Sequence, residues 1–204
     1  MGKIKIKRAS TKVDMTAMCD VSFLLLTFFI LTATARQPEP LPVDMPASTV
    51  QIKVPDTNLG TLTVGDGGKV FFGVTGPNVR VNMLNRISEK YNLTFTDEEK
   101  QRFSLIDGFG VPISRLKQLI AMDNAERVSS GFQTGIPADS TDNQLREWVL
   151  AARLATAEVN NEQMRVAIKG DAEEDYPAIK KVIDVLQEQS LNKFSLITNL
   201  RIAD

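Results

Sequence analysis

The sequence predicts a single N-terminal transmembrane helix followed by a small α+β/α/β domain that carries a large helical insert. Three observations lead there. Residues 15–35 contain one charge in an otherwise apolar run. Prolines at 38, 40, 42 and 46 separate that run from the rest of the chain. Beyond them, strand-like alternation gives way to helical periodicity, and a strand, a helix and a strand close the chain.

The apolar run comes first. As a helix, residues 15–35 rise about 30 Å at ~1.5 Å per residue, the thickness of a bilayer core. Residues 1–14 form a basic tail with Lys3, Lys5, Lys7, Arg8 and Lys12, and no acid precedes Asp14. After the run, Arg36 is followed by Glu39 and Asp44. This asymmetry of basic residues places the amino terminus in the cytoplasm and everything after Ala35 outside it. A cleavable signal peptide is the competing reading, with Ala33-Thr34-Ala35 as its cleavage site. Asp20 at the start of the would-be apolar region argues instead for an uncleaved anchor.

Asp20 is the main chemical signal. A carboxylate near the bilayer centre costs about 2.5–3.5 kcal/mol on insertion scales, so it faces water or a partner. At ~100° per residue, Thr16, Asp20, Thr27 and Thr34 fall within about 40° of one another and form one polar stripe. The competing explanation has Asp20 reaching the cytoplasmic interface and the threonines bonding their own backbone. A stripe that meets a water-filled cavity or a partner helix accounts for all four residues together.

Bulk composition excludes several other chemistries. The 24 basic and 25 acidic residues balance, so nothing asks for nucleic acid. One cysteine, Cys19, and no histidine rule out an internal disulfide, a Cys/His zinc site and a His-based triad. No nucleophile motif or carboxylate spacing marks an enzyme.

Residues 36–48 read as a stiff, extended, proline-rich spacer. Residues 49–54 alternate apolar and polar and predict a strand. Residues 61–64 and 69–72 flank Gly65-Asp66-Gly67-Gly68, a hairpin turn. A phosphate cradle at these glycines lacks the following helix with its Lys-Ser/Thr pair. Residues 78–159 are mainly helical. Val79, Val81, Leu84 and Ile87 line a first helix over 78–91, and Thr96 with Glu99 makes a capping box for a second. Pro112 opens a run with Ile113, Leu116, Leu119 and Ile120. A loop spans 129–140, and a long helix over 142–159 holds Trp148, Leu150 and Leu154. At the end, a strand over 164–169, an acidic turn over 170–175, a helix with Pro177 in its first turn and a strand over 193–200 predict a parallel pair joined by a right-handed crossover. Asp171, Glu173, Glu174 and Asp175 are explained by the dipole of that helix without a metal ion.

These residues resemble a known family. Val13-Asp14-Met15-Thr16-Ala17-Met18-Cys19-Asp20, running into the apolar segment, resembles the ExbD/TolR signature, in which a Thr-Pro pair precedes the membrane aspartate. Asp20 matches that aspartate and Thr16 the threonine; Ala17 stands where the family has proline. Val43-Asp44-Met45-Pro46-Ala47-Ser48 is similar to the family's post-membrane segment. Residues 64–73 are similar to its first hairpin, and residues 170–199 to its closing strand–helix–strand. Residues 74–161 form an insert, far longer than the helical middle of short family members.

The resemblance implies an α/β domain, residues 49–204, in the periplasm, on a single-pass protein of the bacterial inner membrane. It implies a homodimer whose spans lie inside a ring of a polytopic ExbB/TolQ-like partner. Proton passage then uses Asp20, and the domain acts on a TonB/TolA-like transducer, with no cofactor. Moving one charge across ~150–200 mV yields about 3.5–4.6 kcal/mol, enough to bias a two-state motor. The competing class is an anchored or secreted binding module without ion coupling, whose ligand surface is the insert.

Overall fold

Helix α1, Met15–Thr32, holds a single charged residue, Asp20, in the sequence MTAMCDVSFLLLTFFILT, and none of its residues is buried. It belongs to the first of two units, Met1–Arg36; the second is Gln37–Asp204. The computed structural model describes residues 15–33, 39–48, 57–129, 131–139, 142–197 and 199–200.

The second unit is built on a sheet. Strand β1 is the short Ala47–Ser48. Strand β2, Leu59–Gly65, and strand β3, Lys69–Val74, form the expected hairpin, antiparallel from Gly60↔Val74 to Gly65↔Lys69. Its turn needs backbone that bulky side chains resist: Asp66, Gly67 and Gly68 all have positive φ, at 53°, 76° and 84°. On β2 the alternation places Leu62 and Val64 in the core, with Thr61 and Thr63 half-buried. Helices follow: α2 (Pro77–Tyr91), α3 (Asp97–Ser104), a 3-10 turn (Ile113–Arg115), α4 (Leu116–Ala121), α5 (Asn124–Ser129) and α6 (Gln144–Asn160). Strand β4 (Arg165–Gly170), helix α7 (Tyr176–Glu188) and strands β5 (Phe194–Ile197) and β6 (Asn199–Leu200) complete the order.

Four strands make one sheet in the order β3-β2-β4-β5, with β2 parallel to β4 and β4 parallel to β5. The predicted parallel pair across α7 is therefore present. Strands β1 and β6 pair separately and in parallel, Ala47 with Asn199 and Ser48 with Leu200. The strand expected over 49–54 lies outside the described residues.

The helical middle shares one core with the sheet. On α2, Val79, Met83, Leu84 and Ile87 are buried, and α6 buries Leu145, Trp148, Val149, Ala152 and Ala155. Val81, expected on the apolar face of α2, is only half-buried, because the helix turns it away from the face that meets α6. Trp148 stacks on Phe103 at 6.2 Å between ring centroids and meets Phe109 edge-on at 4.6 Å. Phe109 also bonds to the sheet: its N–H donates to Phe72 O at 2.9 Å, and Phe72 N–H donates to Phe109 O at 2.8 Å. Ile136 N–H donates to Val70 O at 2.8 Å. The outer edge of β3 is thus covered by the insert, which protects it from pairing elsewhere.

The capping box is formed. Glu99 N–H donates to Thr96 Oγ1 at 3.2 Å, and Thr96 N–H donates to Glu99 Oε2 at 2.7 Å. The run after Pro112 is broken into the 3-10 turn and α4, and α4 stops where Met122 is extended. Helix α5 then starts on local bonds, with Glu126 N–H donating to Asp123 Oδ1 at 2.8 Å.

Candidate functional site

Helix α1 exposes every large apolar residue it has, from Met15 through Phe23, Leu24, Leu25, Phe28 and Phe29 to Leu31 at 85%. This 18-residue helix, of mean hydropathy 1.9 and with none of it buried, is long and apolar enough to cross a membrane. Its length is about 27 Å at ~1.5 Å per residue.

Within this helix Asp20 is the sole carboxylate, and its side chain is exposed. It makes no salt bridge to another described residue. The helix carries Thr16, Asp20 and Thr27 on one face at the predicted spacing. Thr34 lies outside the described residues. The Thr27 hydroxyl donates to Leu24 O at 2.9 Å, so a local backbone bond satisfies its proton. Its oxygen lone pairs keep acceptor capacity on the stripe. Ser22 and Thr32, which donate to Met18 O at 2.8 Å and Phe28 O at 2.7 Å, lie on other faces.

In the second unit, residues 39–48 lie against the domain. Lys169 Nζ on β4 pairs with Glu39, and Ala172 N–H donates to Asp44 O at 2.7 Å. The reading of residues 36–48 as a spacer gave no sign of these contacts, because Lys169 is 130 residues away from Glu39. Lys169 itself read only as one position of a strand. The acids of the β4–α7 turn have local work: Glu174 Oε1 accepts from Gly67 N–H at 2.6 Å and from Gly68 N–H at 2.9 Å. They thereby tie this turn to the hairpin turn. Asp171 Oδ1 accepts from Glu173 N–H at 3.0 Å.

Among the described residues, three ionisable groups of the domain are displaced from their ordinary behaviour, all on the insert. Burial, then the charges of Glu147 and Asp142, push the Tyr91 hydroxyl up. Burial pulls the Arg127 guanidinium down, although Asp123 opposes it. Hydrogen bonds from Arg86 and Asn82 hold the Glu158 carboxyl below the usual carboxylate range. None of the three lies on the candidate helix.

No curated protein and no solved structure matches the chain. A family model described as biopolymer transport protein ExbD/TolR matches residues 7–200, which takes in α1 with Asp20, the insert and the closing strand–helix–strand. The chain belongs to the ExbD/TolR family.

Proposed function

We propose that this chain is the single-span, proton-motive-force-coupled subunit of an inner-membrane complex of the ExbB–ExbD or TolQ–TolR type. In this reading α1 crosses the membrane with its amino terminus in the cytoplasm and the α/β domain in the periplasm. Asp20 carries the proton, and the domain acts on a TonB/TolA-like transducer. The observation that carries the reading is Asp20 as the one charge on a helix that leaves all its apolar side chains uncovered. Lipid and the helices of a polytopic partner supply such a cover, and a second copy supplies the partner span of a homodimer. A carboxylate on an apolar helix faces water or a partner, which puts it where a proton can be exchanged. Thr16, Thr27 and Thr34 extend the polar face along the path.

Asp20→Asn tests this. Asparagine keeps the shape and hydrogen-bonding groups but exchanges no proton. Cells whose only copy carries the substitution should lose energised uptake or envelope function, with the protein still made and assembled with its membrane partner. Uptake at the wild-type rate would remove Asp20 from proton transfer and favour an anchored binding module.

A further inference from the structure

We draw no further inference here: the strongest candidate, the groove between α2 and α6 walled by the exposed side chains of Leu150 and Leu154, is an apolar face, and nothing in the structure shows what covers it.

Discussion

Arg80 shows how much a single side chain can hold without announcing itself. It sits on α2 at 9% exposure; its Nε donates to Val74 O at 2.8 Å and one terminal nitrogen to Ser104 O at 2.7 Å. The other terminal nitrogen pairs with Asp107. One guanidinium thus joins the end of β3, the end of α3 and the loop that follows. Arg80→Met should destabilise the domain by about 2–3 kcal/mol, because two buried carbonyl oxygens lose charged donors. Asp107→Asn should cost less than about 1 kcal/mol, since that carboxylate is 55% exposed and water replaces its partner. Urea midpoints at an unchanged slope would measure both, and equal losses would show that the ion pair, not the carbonyl bonds, carries the effect. In the sequence Arg80 reads as an ordinary solvent-face residue, because its acceptors lie 6, 24 and 27 residues away. Asp20 was legible for the opposite reason: a carboxylate in an apolar run conflicts with its own local context, and no long-range contact is needed to see it.

At the scale of elements, legibility followed how local the determining bonds are. The hairpin turn, the Thr96–Glu99 capping box and the proline in the first turn of α7 are each decided within a few residues, and each stands where the pattern puts it. Helix α5 was missed because a turn and a half of helix held by the Asp123–Glu126 bond carries too few periods to read. Packing between α2 and α6 adds a contact that no pattern reveals, in which Arg86 reaches Glu158 at 2.6 Å and Asn82 assists at 3.2 Å. These bonds lower the Glu158 pKa in the folded chain. A lowered carboxylate pKa gives stability that is present above the unfolded value, near 4.5, and is lost as pH falls through the folded value. Glu158→Gln should therefore lower the thermal midpoint slightly at pH 7, with the difference from wild type shrinking as pH falls below the unfolded value. A difference that persists at low pH would mean that the loss is one of shape rather than charge.

For the whole molecule the central division is between a core that is complete without α1 and a helix that has no core of its own. The buried cluster draws on the sheet and on α2, α3, α4, α6 and α7, and none of its residues comes from α1. The sequence marks the insert as an interruption between hairpin and closing strands. Phe109 and Trp148 instead make it a wall of the same core, which only the fold brings together. Two expectations follow from a self-sufficient core beside an uncovered apolar helix. A chain beginning at Gln37 should fold cooperatively and stay in solution, because it keeps every residue of that cluster. The full chain should instead fractionate with membranes and resist extraction by carbonate, since the large apolar side chains that α1 exposes cannot be left in water. Intact-mass measurement of the membrane-bound protein separates an anchor from a removed signal. The anchor reading expects a mass near the full 22.5 kDa, with residues 1–35 retained. A mature chain starting at Arg36 or Gln37 would mean that Asp20 never reaches the working protein, and the proton-carrying role would fall with it.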